Sequence, residues 1–186
     1  LHRGDEKSCK KRRGYFVALT ETPMTKEILD RRAADNEYLH PDFHGAFSAG
    51  LQYLDDNYGA DAVRRYLREF TLSYYAPLMA EIKNRGLVAL RDHFEKIYRD
   101  EGAEVEISGD ENELLIRVAA CPAVMHIQNN NYLLANLFGE STRVVNETLC
   151  EGTPFFAELL DYDPQTGAGT QLFARKTVAE KNCDSL

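Results

Sequence analysis

The sequence predicts an α+β fold: an N-terminal helical layer packed on a small, mainly antiparallel sheet of two β-hairpins, with a helix between the hairpins. Three observations carry this expectation. Apolar residues recur every three or four positions from Phe43 to about Glu101, the repeat of a helical face. The period drops to two at Val105 and Ile107, and again at Leu114, Ile116 and Val118. Two turn-forming runs, Gly109-Asp110-Glu111-Asn112 and Asp163-Pro164-Gln165-Thr166-Gly167, each separate two strand-like stretches.

Residues 1–23 read unlike the rest of the chain, as a basic extension, a loosely attached arm or a cloning remnant, and Met24 resembles a natural start. A single domain is expected over 24–176, with a polar tail over 177–186. Lys26–Glu37 suits a short helix. Pro41 and Asp42 open a stronger one, whose stripe is Phe43, Phe47, Leu51, Leu54 and Tyr58, ended by Gly59. A second helix from Ala60 buries Val63, Tyr66, Leu67, Phe70 and Tyr74. Pro77 kinks it or starts a new segment, since proline removes a backbone donor and crowds the preceding turn. After Gly86, a helix from Leu87 to about Glu101 turns Leu90, Phe94 and Ile97 inward. The first hairpin ends at Cys121-Pro122. Tyr132 to Cys150 reads as the intervening helix, using Leu133, Leu137, Val144, Val145 and Leu149 with Gly139 inside it. Phe155–Tyr162 and Gln171–Arg175 form the second hairpin.

Composition narrows the function. The chain of 186 residues carries a net charge of −8; residues 1–23 hold +3, which leaves −11 for the rest. An acidic body repels phosphate backbones, so no nucleic-acid partner is expected. No apolar run reaches the length of a membrane span, and the charged start is no secretory signal, so a cytoplasmic protein with no membrane partner is expected. The four cysteines, Cys9, Cys121, Cys150 and Cys183, form no CxxC pair and read as reduced thiols. No phosphate-cradling loop, dinucleotide fingerprint, GxSxG elbow or HExxH motif is present. No cofactor and no metal are therefore expected.

Chemistry-bearing residues concentrate in a few places. His40-Pro41-Asp42-Phe43-His44-Gly45 holds two histidines four apart, a metal-compatible spacing if both are helical, but Pro41 leaves His40 at or before the cap. Asp42 in the first turn complements the helix dipole, and His44 is a candidate ligand contact. Cys121 ends a strand, with His126 five residues on as an activating partner; alternatively it is a small buried apolar residue. Cys150, at a helix C-terminus, is the poorer nucleophile, and Glu151 beside it is an acid, a base or a solvated carboxylate. Tyr74 and Tyr75 precede the break at Pro77 and either line a pocket or pack the core. His93, among Arg91, Asp92 and Glu95, reads as a surface residue.

Taken together, Tyr38-Leu39-His40-Pro41-Asp42-Phe43-His44-Gly45, Tyr53-Leu54, Tyr58-Gly59, Ala120-Cys121-Pro122-Ala123, and Asn146-Glu147 to Cys150-Glu151-Gly152-Thr153 resemble one family. It is the bacterial L-2-amino-thiazoline-4-carboxylic acid hydrolase-like family, over roughly Met24 to Lys176. The resemblance implies opening of a cyclic thiazoline amidine by water to give a carbamoyl-cysteine. Such a task needs a nucleophile or base, an acid, and a group for the substrate carboxylate. Cys121 is the candidate nucleophile, and His44 or His126 the base or acid. His40, Asp42, Tyr74, Tyr75, Cys150 and Glu151 are candidate contacts, with Arg117 or Arg143 for the carboxylate. The layout also resembles the ligand-binding modules of the vinyl-reductase-like and haem-nitric-oxide-like group, which implies the rival reading, a non-catalytic small-molecule pocket between helices and sheet. Where those modules often carry a cysteine in the last hairpin, this chain reads Gln171-Leu172-Phe173-Ala174. With ten Tyr and nine Phe, a homodimer through the helical layer is the expected protein partnership.

Overall fold

A computed structural model describes residues 42–177, all of which fall within one compact unit, Glu37–Leu186. The expected N-terminal arm, the Lys26–Glu37 helix, His40, Cys9, Cys183 and the tail beyond Thr177 lie outside the described residues. Six helices and four strands follow in order: α1 Asp42–Tyr58, α2 Ala60–Tyr74, α3 Ala76–Arg85, α4 Leu87–Asp100, β1 Val105–Gly109, β2 Glu113–Val118, α5 Pro122–Asn129, α6 Glu140–Leu149, β3 Phe155–Tyr162 and β4 Gly169–Arg175. The fold is α+β, with helices packed on a sheet of order β1-β2-β4-β3 in which every neighbour is antiparallel.

The alternation in the strands sets the sheet's inner face. Leu114 pairs with Phe173 and Ile116 with Gln171, and all four are buried. Directly opposed residues share a face, so this set meets the helices while Arg117 and Glu106 point to the other side. A bulge between Leu159 and Asp161 shifts the register of β3, and Tyr162 is thereby paired with Gly169, on the face of Gln171 and Phe173. Two apolar clusters result. Ile82, Leu87, Leu90 and Phe94 of α3 and α4 pack on Leu114, Ile116, Phe155 and Phe173 of the sheet. Leu51, Val63, Leu67, Val124, Ile127 and Val144 form a second core among α1, α2, α5 and α6.

Of the two outcomes expected at Pro77, the structure shows the new segment: Pro77 takes a first-turn position of α3, where its missing N–H costs nothing. Other expectations are corrected. Residues 132–139, expected to be helical, are irregular, and α6 begins only at Glu140. The reason lies in α1: buried Ser48 donates to the Leu133 carbonyl at 2.7 Å and accepts from the Ala135 amide at 2.8 Å, drawing backbone groups away from a helical ladder. Leu133 is accordingly 59% exposed. A helix not expected, α5, occupies Pro122–Asn129. Tyr66 and Tyr74 are exposed instead of buried, each stacked on the half-buried Phe70 so that the rings cover one another. Phe43 and Tyr58 are likewise exposed, and His93 is half-buried, edge-on to Tyr75 and Phe94.

Candidate functional site

The two cores leave polar groups between them. Tyr98 of α4 packs against the sheet-side core, and Cys121 against the helical one. Cys121 is the N-cap of α5, and Pro122 is its first helical residue. Burial pushes the thiol above its ordinary value and outweighs the opposing pull of the Val124 and Ala123 amides, and no hydrogen bond from the helix caps the side chain. The residue is held from below by the β3–β4 turn. Its own amide donates to the Thr166 carbonyl at 2.9 Å, and Gln128 at the far end of α5 donates to the Gln165 carbonyl. Asp163 organises that turn by accepting from the Thr166 hydroxyl at 2.6 Å and the Gln165 amide at 2.9 Å. Gly167, at φ 65°, lies so close that a Cβ there would collide with the Cβ of Cys121 and with Val124.

Histidines approach from two helices. The His44 ring on α1 and the His126 ring on α5 have centroids 6.3 Å apart, and α1 packs against α5. Burial first, then the neighbouring His126, lowers the pKa of His44, which is therefore a neutral base near pH 7. His44 Nε2 lies 3.7 Å from Oε1 of Glu101, the C-cap residue of α4, whose side chain is 27% exposed. The Glu101 carboxyl is raised by burial, and its charge acts on Cys121, Tyr98 and Tyr75. Tyr98 and Tyr162 also sense Cys121; burial pushes both phenols up to about 12, so both hydroxyls keep their protons. Tyr162 lies against Gly139, where a Cβ would come within 2.7 Å of its ring.

A buried polar chain backs this cluster. Asn146 of α6 donates to Gln171 of β4 at 2.7 Å, and Gln171 donates to the Tyr98 hydroxyl at 3.2 Å. It fixes Tyr98 against three elements, and among the described residues no buried side-chain nitrogen or oxygen lacks a partner.

The other sequence candidates go elsewhere. Asp42 is the first residue of α1. Arg143 lies on α6 between Glu140 and Glu147, and Glu140 also takes Arg64 at 2.8 Å. Arg117 is on the outer sheet face, 3.5 Å from Glu106. Neither guanidinium joins the Cys121 cluster. Glu151 is bound through both oxygens by Arg68 of α2, at 2.8 and 2.7 Å. Cys150 is buried in the sheet-side core, which pushes its thiol up to about 12. Tyr74 stacks on Phe70 at the surface, whereas Tyr75 lies beneath it within the field of Glu101. Two surface cavities, of about 300 Å³ beside the α3–α4 turn and about 470 Å³ at the open end of the sheet, are lined by none of Cys121, His44, Glu101 or His126; Arg117 lines the second. No group of three or more His, Cys, Asp or Glu among the described residues is arranged to hold a metal ion, and no described helix is long and apolar enough to cross a membrane.

Compared with known protein families and with curated protein sequences, the chain matches none. The site therefore stands on its own geometry.

Sequence reasoning missed Glu101, Tyr98, Tyr162, Gln171 and Asn146. Two of them carried a signal: Gln171 sits in phase with Phe173 on the inner face of β4, and Asn146 falls on the apolar stripe of α6. A polar side chain at such a position must find a partner inside. Pro122 after Cys121 likewise marked a helix start.

Proposed function

We propose that the chain is a hydrolase that opens a small cyclic amidine of the 2-amino-thiazoline-4-carboxylate type, at a site centred on Cys121. One observation carries the reading: a thiol at the N-terminus of a helix lies within the field of Glu101, which in turn contacts a base-competent histidine. These groups come from α1, α4 and α5, and a solely structural thiol has no need of them.

The chemistry follows from the groups. The amidine carbon is electrophilic, and water or the Cys121 sulfur attacks it while His44 takes the proton released. A ring bond from that carbon to its heteroatom breaks, and the leaving atom takes a proton from the His44 imidazolium or from the hydroxyl of Tyr98 or Tyr162. If sulfur attacks first, water then displaces it and restores the thiol, so either route adds one water to the ring. The helix amides at Cys121 also face any negative charge that develops there.

A second reading, a non-catalytic pocket for a small molecule, is favoured by a different observation: burial holds the Cys121 thiol protonated at rest. Incubation with 2-amino-thiazoline-4-carboxylate, followed by mass spectrometry, separates the two. Carbamoyl-cysteine formed by the wild type and not by His44→Ala supports the hydrolase; binding without product supports the pocket.

A further inference from the structure

Resting on that reading, we infer that the site selects a planar, delocalised cation, the amidinium form of the substrate, and that Glu101 is the carboxylate that recognises it.

The first observation is a missing counter-charge. Glu140 and Glu101 are both sheltered, with side chains 17% and 27% exposed. Glu140 has two guanidiniums, of Arg64 and Arg143, on its oxygens. Among the described residues Glu101 has no lysine or arginine within ion-pairing distance; its one ionisable contact is the His44 imidazole at 3.7 Å. His44 is kept neutral by burial and by His126, so it leaves the charge of Glu101 largely unbalanced. A sheltered carboxylate without a cation is costly to keep ionised, and a bound cation removes that cost.

The second observation is what surrounds it. The groups that sense Glu101 are Tyr75, Tyr98 and the Cys121 thiol, so the neighbours offer ring surface and hydroxyls in place of positive charge. Tyr75 continues into Phe70 and Phe47, with ring centroids 6.2 and 6.0 Å apart in turn. Rings within the field of a carboxylate suit a flat cation, which gains from ring surface and from a two-pronged, charge-assisted hydrogen bond. An amidinium has two N–H groups in one plane, matched to two carboxylate oxygens.

The arrangement also gives a route to product release. Adding water to the amidinium and breaking its ring bond yields an uncharged carbamoyl group and a free thiol, with one proton released to solvent. The charge that Glu101 holds is then gone from the ligand, and the product is bound less tightly than the substrate.

The test measures binding apart from turnover. Isothermal titration of the full chain near pH 7 compares 2-aminothiazoline, which is protonated, with 2-methylthiazoline, which is not. The wild type is expected to prefer the cation by about tenfold or more, Glu101→Gln to lose that preference, and Glu101→Asp to keep part of it. Equal affinity for the two probes in the wild type overturns the inference without recourse to any variant, as does an undiminished preference in folded Glu101→Gln. Preference without ring opening supports the role of Glu101 while ending the hydrolase reading. Ring opening without preference does the reverse.

Discussion

At the scale of single residues, the buried histidines and thiols separate by environment. His93, half-buried against Tyr75 and Phe94, has its pKa lowered to about 4 by burial. The unfolded chain takes up a proton there below its ordinary value of 6.5, and the folded chain resists it, so protonation favours unfolding. Its contribution is complete above that value and is lost as pH falls toward 4. Between pH 7 and pH 5 the wild type should lose about 2 kcal/mol through this residue. His93→Phe, which keeps the ring contacts, should show a correspondingly smaller drop in urea midpoint. An unchanged drop would place His93 in solvent. At His44 the lowered pKa keeps the base form at neutral pH, so the fall in ring-opening activity that this residue causes should lie on the acid side, below the ordinary histidine range. Both described thiols are raised, Cys150 to about 12, so neither should be alkylated by iodoacetamide at pH 7 as fast as a free cysteine, and Cys121, the less buried, should react before Cys150. Peptide mapping by mass spectrometry checks the order.

At the scale of elements, the site depends on the β3–β4 turn and on the polar chain behind Tyr98. Gly167 combines a left-handed backbone with contact against Cys121 and Val124, so Gly167→Ala is strained twice and should cost about 2–3 kcal/mol in urea denaturation. Because the turn holds the Cys121 amide through Thr166, the same change should also displace the thiol and lower turnover in protein that remains folded. Gln171→Ala removes the link between Asn146 and Tyr98 and leaves two buried polar groups short of a partner, a loss of about 1–3 kcal/mol. A near-neutral result would mean that the chain is not sealed from water.

Legibility divides along the same line. The periods of α1, α2 and α4, the turn residues at Gly109–Asn112 and Asp163–Gly167, and the alternation of β2 were readable, because each is a local pattern with one physical meaning. The stretch 132–139 was not, because its backbone is organised by Ser48 on a helix more than eighty residues earlier. The exposure of Tyr66 and Tyr74 follows from how α2 is rotated against α1 and α6, which spacing alone leaves open. Of the site, Cys121, His44 and His126 were chosen by chemistry, and the fold sets the two histidine rings 6.3 Å apart, with Glu101 beside His44 and acting on Cys121. Arg117 and Arg143 were chosen by charge alone, and the fold takes both elsewhere.

For the whole molecule, the proposed reactive centre is single and sits where the two cores meet, at Cys121 and not at Cys150. The yield of carbamoyl-cysteine from 2-amino-thiazoline-4-carboxylate tests this, followed by mass spectrometry for wild type, Cys121→Ala and Cys150→Ala, each shown folded by circular dichroism. Product is expected from the wild type and from Cys150→Ala, with a loss of about 100-fold or more for Cys121→Ala. Equal product from Cys121→Ala and wild type would remove the thiol from the chemistry and overturn the proposed centre.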